Sequence, residues 1–317
     1  METLLSAVIP AFALIAIGYG AARLNILGPA IFEALNKFVY YLAMPALLIG
    51  SLAAAPVDDI LNWNFIAAFT IGIVATWLTV GLAGRVLFGD GLADGTMRGV
   101  VASYGNNGYL GIPLAAAAFG DAAIVPASLS VLLNSVVIMT GAVVILEFCR
   151  VRVSGGGSGS GSGVLRNSGK ALASNPLIWA VVIGLVLSAT GAELPLSIEL
   201  IFAMLGQAAA PSALVAIGLF LAARPVVKLL AAAAIPSLGK LALFPLIVWL
   251  LTLYVFPLEP LWAMMAVLMA GMPVGANAFV IAGHYRLRLG DASAAIVLST
   301  ASSLVTLSLM LILMANG

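Results

Sequence analysis

Charge is the scarcest commodity in this 317-residue chain: Asp, Glu, Lys and Arg make up 8% of it, against about 25% in a soluble domain. With a net charge of +1 there is no basic field to grip phosphate, which excludes a nucleic-acid partner. A single cysteine, Cys149, and a single histidine exclude a disulfide framework and a Cys-based metal site. No Ser-His-Asp-type set or metal cluster stands out within the apolar stretches, so the residues point away from an enzyme and call for no cofactor. What remains abundant is apolar surface, at 63% of residues. A membrane-spanning helix needs about 20 mostly apolar residues, which makes this an all-α polytopic membrane protein whose first partner is the lipid bilayer.

Hydropathy places ten spans, near 3–22, 35–54, 63–86, 97–119 and 122–148, then 175–191, 197–222, 230–256, 260–283 and 291–315. The first span lacks a basic leader and is long enough to cross, so it reads as a span and not as a cleaved signal. Basic residues test the count. Arg23, Lys37, Arg85, Arg98, Arg150, Arg152, Arg166, Lys170, Arg224, Lys228, Arg286 and Arg288 fall in or beside the connections after odd-numbered spans, leaving only Lys240. The positive-inside rule then places both termini outside the cytoplasm and the 149–174 loop within it. A bacterial inner membrane is the expected location. Lys240 lies one turn after Pro236. It is expected to snorkel to the cytoplasmic surface, the other reading being a role facing an anion.

Residues 150–174 form a linker containing the Gly/Ser run Ser154–Gly163, with a five-span repeat, 1–149, before it and a second, 175–317, after it. The run has no Lys-Ser/Thr ending and no strand before it, so it is not a phosphate loop. The halves resemble each other: Pro10 to Pro45 and Pro176 to Pro211 are both 35 residues apart. The same offset, 166, carries Asn107 onto Pro273, Gly111 onto Asn277 and Asn134 onto Thr300. An odd number of spans per half inverts the second copy, a pattern of secondary transporters with midplane sites.

The fourth span holds Tyr104-Gly105-Asn106-Asn107-Gly108-Tyr109-Leu110-Gly111-Ile112-Pro113 and the ninth Gly271-Met272-Pro273-Val274-Gly275-Ala276-Asn277. Neither continues a regular helix comfortably, and each freed backbone group must face protein or water. Where broken helices cross, their N-termini offer N–H groups and partial positive charge to an anion. The candidate substrate site therefore comprises Asn106, Asn107, Gly108, Gly111, Pro113, Pro273, Gly275 and Asn277. Asn134 and Thr300 line it from the flanking helices, and Pro45, Ser51, Gln207 and Pro211 face it from spans 2 and 7. Neither broken segment holds Arg or Lys, so a carboxylate is expected to be held by helix ends and amides and not by a buried cation. No carboxylate falls clearly at mid-membrane, which speaks against simple proton or sodium coupling.

The strings Ala43-Met44-Pro45-Ala46-Leu47-Leu48, Asn106–Pro113, Pro211 and Met272–Asn277 resemble the auxin efflux carrier family, which includes plant auxin exporters and bacterial carriers for malonate and related organic anions. The resemblance implies a fold similar to sodium/proton antiporters and bile acid transporters. In that fold helices 1, 2, 6 and 7 form a scaffold that dimerises, while helices 3–5 and 8–10 move as an elevator carrying the crossed helices 4 and 9. It implies substrate contact at Asn106, Asn107, Asn134, Pro273 and Asn277. The expected activity is potential-driven efflux of small carboxylates, auxin-like acids or malonate-type dicarboxylates, the other reading being a sodium- or proton-coupled carrier on the same fold.

Overall fold

Backbone polar groups in hydrocarbon must be satisfied within their own segment, so so apolar a chain folds as helices. The structure, a computed structural model, describes residues 2–54, 61–153, 176–192, 194–222 and 230–316. The Gly/Ser run lies outside the described residues.

In chain order the helices are α1 (Glu2–Arg23), α2 (Pro29–Phe38), α3 (Met44–Ala53), α4 (Trp63–Phe88), α5 (Leu92–Ser103), α6 (Ile112–Phe119), α7 (Ile124–Leu133) and α8 (Thr140–Val153). There follow α9 (Pro176–Thr190), α10 (Leu196–Ala222), α11 (Leu230–Leu238), α12 (Phe244–Tyr254), α13 (Pro260–Ala270), α14 (Ala276–Tyr285) and α15 (Leu289–Asn316). Six helical runs among them are long and apolar enough to cross a membrane: Ile31–Ala53, Trp63–Phe88, Asp121–Ile138, Leu196–Phe220, Ala233–Tyr254 and Leu289–Met314.

Several breaks in this list are not interruptions of the rod. Val39–Ala43, Asn107–Gly111 and Gly239–Leu243 are π-helical turns that join α2 to α3, enter α6 and join α11 to α12. Each ends two residues before a proline: Pro45, Pro113 or Pro245. Proline cannot donate to the carbonyl four residues back. The widened turn lets the preceding N–H groups, Met44 to Val39, Ile112 to Asn107 and Phe244 to Gly239, reach one carbonyl further. A fourth π turn, Asn134–Met139, joins α7 to α8.

Two sets of close helix contacts stand out, with α1 also packed on α6 between them. In one, α1 lies along α10, and α3 packs on α9 and α10. Gly18 and Gly218 leave no room for a Cβ against the facing helix, so the α1 and α10 backbones nearly touch. In the other, α4 packs on α5 and α12, α11 on α15, α12 on α13, and α14 on α15. Its core is close-packed around Phe65, Phe69 and Phe244, with Phe65 stacked on Phe69 and edge-on to Trp262.

At one end of this second group the charges gather. Asp90, just beyond the left-handed Gly89 that stops α4, is buried between Arg98 of α5, whose Nε lies 2.8 Å away, and Arg288. Arg288 also reaches Asp94 at 3.2 Å and Asp291 at 2.9 Å. Arg98 and Arg288 come from connections that the charge pattern assigns to one side, and here they share one carboxylate.

Candidate functional site

Helix α5 ends at Ser103 because Tyr104 turns extended, with φ −77° and ψ 103°. Helix α13 ends at Ala270, and 271–275 run without helix. The two unwound segments meet in an antiparallel bridge between Gly105 and Val274. Asn106 N–H donates to Pro273 C=O at 2.7 Å and Gly275 N–H to Tyr104 C=O at 2.9 Å, while Val274 N–H donates to Ser299 Oγ at 3.0 Å. The groups that helix would have satisfied are thus paired across the break, as an apolar medium demands. A Cβ on Gly275 would stand 2.8 Å from Gly105 C=O, and one on Gly105 would strike Asn107 Oδ1, so this close approach requires glycine at both places.

The bridge joins residues 169 apart in sequence. Asn106 is the residue bonded to Pro273.

Beyond the bridge, helix resumes on both sides. Asn106 C=O accepts from Leu110 and Gly111 N–H, both at 3.1 Å, and the chain enters α6 through the π turn. Gly275, extended at φ −82° and ψ 150°, opens α14 without a side-chain cap. The first N–H groups of such helices have no partner within the helix.

A first cleft lies against the crossing and is lined by Tyr104–Tyr109, Val131, Asn134, Ser135, Leu177 and Gly275–Asn277. Within it Asn277 Nδ2 donates to Tyr104 Oη at 2.9 Å, and Tyr104 Oη lies 3.4 Å from Ser135 Oγ. Asn107 Nδ2 donates to Ser130 Oγ at 2.8 Å. Asn107 Oδ1 and both polar atoms of the Asn134 side chain are buried with no protein partner. Buried polar atoms are ordinarily bonded, so three such atoms at one cleft mark a place shaped for something besides the protein. A second cleft is lined by Phe32, Asn36, Asn106, Tyr109, Ala216, Ile217, Phe220, Val274, Ala276, Ile296 and Thr300. It is the more apolar of the two, and Asn106, Tyr109 and Ala276 border both.

The residues singled out from the sequence separate accordingly. Asn106, Asn107, Gly108, Asn134, Gly275 and Asn277 line the first cleft, and Thr300 the second. Gly111, Pro113 and Pro273 line neither: Gly111 packs against Met269 and Met272, Pro113 is buried behind its π turn, and Pro273 supplies a bridge carbonyl. Pro45, Ser51, Gln207 and Pro211 also line neither cleft; Gln207 and Pro211 are exposed on α10, whose contribution comes from Ala216, Ile217 and Phe220 one to two turns further on. Proline spacing marks a helix but not the direction a residue faces.

Lys240 corrects two expectations. It does not snorkel to a surface: its side chain is 0% exposed. Nor is the crossing without a cation. Lys240 Nζ donates to Ala270 C=O, the last carbonyl of α13, and lies 4.4 Å from the Phe244 ring centroid. A lysine inside an apolar span was the visible signal, but hydropathy carries no information on which way it points. Tyr104, Ser130 and Ser135 are not among the residues that the sequence points to, since Tyr104 reads there as part of the broken segment and Ser and Thr hydroxyls in membrane helices mostly bond their own backbone. Ser130 does so too, to Ala127 C=O at 2.6 Å.

Comparison with known proteins gives the same direction. A family model described as "Membrane transport protein" matches residues 3–153 and 162–311. A protein of Rhizobium meliloti (strain 1021) named "Putative malonate transporter" is 31% identical over 317 residues, covering 100% of this chain and 98% of its own length. An "Uncharacterized transporter" of Methanothermobacter thermautotrophicus is 29% identical, covering 97% of this chain and 96% of its own length.

Proposed function

The chain belongs to the auxin efflux carrier family of membrane transport proteins, and from that membership we propose that it is a secondary carrier of small organic anions. Malonate-type dicarboxylates are the first class to test, since one relative bears that name. The observation that carries the reading is the first cleft. There, buried amides without partners stand beside two helix N-termini, which favour negative charge. A carboxylate accepting from Asn134 Nδ2 and the first N–H groups of the Asn107–Gly111 π turn and of α14 fills that need, and Asn107 positions the turn through Ser130.

The carrier crosses the membrane ten times as two inverted repeats, 1–149 and 175–317, joined by the 150–174 linker. Both termini lie outside the cytoplasm of a bacterial inner membrane. Helices α1–α3, α9 and α10 form the scaffold, through which two copies associate, and the remainder moves as an elevator. The division of packing into these two groups supports this assignment. The two clefts, divided by Asn106, Tyr109 and Ala276, supply a route on either side of the crossing.

Transport is driven by substrate gradient and membrane potential. An anion leaving a negative-inside cell gains about 2.3 kcal/mol per charge per 100 mV, so no coupling ion is required. In proteoliposomes with the potential clamped by potassium and valinomycin, malonate flux follows the imposed potential in sodium-free buffer at matched pH. Flux that ignores the potential and requires a sodium or proton gradient overturns this driving force. It would favour the coupled-carrier reading, which the unpartnered oxygens of Asn107 and Asn134 make specific, as oxygen ligands suit hard cations.

A further inference from the structure

We propose that Lys240 is the fixed positive charge that makes the crossing selective for anions; this deepens the carrier reading above and rests on it. Two helices end and two begin where the unwound segments meet. Each end carries about half an elementary charge, negative at the carbonyl ends of α5 and α13 and positive at the starts of α6 and α14. To first order these four cancel, so helix ends alone give the crossing no net sign. Lys240 breaks the tie. Its Nζ takes the last carbonyl of α13, at Ala270, against the face of Phe244. The negative end of α13 is thereby neutralised, and the positive ends of α6 and α14 dominate the field in the first cleft.

Three observations set this lysine apart. It is fully buried, and no carboxylate pairs with it among the described residues. Among the described residues the other buried charges, Asp90 and Arg98, are ion-paired with each other. It also stands directly behind the cleft wall: a Cβ on the cleft-lining Gly105 would lie 3.2 Å from Nζ. Gly105, which adds no side chain of its own, stands between the ammonium and the space where substrate binds, beside the Asn107 amide. A buried cation without a counter-charge is costly, and an anion in the cleft supplies the missing one. Lys240 is thus a specificity-determining residue that acts without touching the substrate.

The test measures binding of three ligands of one shape and decreasing charge: malonate, its monomethyl ester and malonamide. Each is titrated into purified full-length wild type, K240R and K240Q, with thermal stability followed. In K240Q malonate affinity falls roughly ten- to fiftyfold, the scale of a unit charge acting across a protein of moderate effective dielectric. The monoester loses less and the diamide nothing, while K240R, which keeps the charge, stays within about threefold of wild type for all three. Should Gln at 240 prevent folding, K240M, a neutral side chain of similar length, carries the same expectation. Equal losses for all three ligands, or wild-type affinities in the neutral variants, overturn the role of Lys240 and leave the carrier reading intact. Failure of any carboxylate to stabilise wild type overturns the anion reading itself, and the charge bias with it.

Discussion

Buried polarity is concentrated in two regions of this protein, and they are built on opposite terms. At the end of α4, Asp90 is enclosed by Arg98 and Arg288, and Arg288 is shared with Asp94 and Asp291. Every charge there has a partner. At the crossing, one lysine has a carbonyl and a ring face but no carboxylate, and the amides of Asn107 and Asn134 are left partly or wholly unbonded. Matched buried polarity joins elements: Asp90 ties α4 to α5 and to the connection before α15. Unmatched buried polarity is stability forgone, and a protein retains it where another molecule completes the set.

Five substitutions probe that contrast, in decreasing size of effect. Asp90→Asn should be the most damaging to the fold, leaving Arg98 facing no charge in a buried site while Arg288 keeps only Asp94 and Asp291. A loss of about 3–5 kcal/mol in stability is expected, read as a large fall in melting temperature whether or not substrate is present. A variant that melts like wild type but fails to transport would place Asp90 in the transport chemistry and break the contrast. Asn107→Ala and Asn277→Ala should weaken malonate binding by about 1–3 kcal/mol while expression and assembly survive. Calorimetric titration showing wild-type affinity in both would remove these amides from the site. Asn134→Leu should raise the stability of the ligand-free protein by about 1 kcal/mol, because it deletes two buried unsatisfied atoms, and lower substrate affinity at the same time. A loss of stability instead would mean that Asn134 is part of the framework. Smallest of all, Thr300→Ala should change stability and affinity by no more than about 0.5 kcal/mol, since its hydroxyl already donates to Ile296 C=O at 2.7 Å on its own helix. A large transport defect there would shift weight to the second cleft.

How much of this was legible beforehand depends on whether the cause was local. The glycines, asparagines and prolines of 104–113 and 271–277 dictate their own departure from helix. Asn107, Asn134 and Asn277 stood out because amides are rare in apolar spans. Facing and depth were not legible. Gln207 and Pro211 sit on the right helix but point away from the clefts, and Lys240 points inward where a surface position was expected. The ion pair between Arg288 and Asp90 spans 198 residues and depends wholly on tertiary assembly. The strand-like contact between Gly105 and Val274 has the same origin, since it is set by where two backbones distant in sequence unwind.

The bridge also bears on how the protein is made. Tyr104 C=O and Asn106 N–H find their partners at Gly275 and Pro273, which leave the ribosome long after them. At roughly 5–20 residues per second, the 169 residues between Gly105 and Val274 take about 10–30 s to synthesise. Throughout that interval the first broken helix holds unpaired backbone groups in a medium that penalises them. The N-terminal part of the chain is therefore an unfinished membrane segment until residues 271–275 arrive, dependent in the meantime on whatever shelter the insertion machinery provides. Truncation before α13 should yield a product that is degraded, not half a carrier.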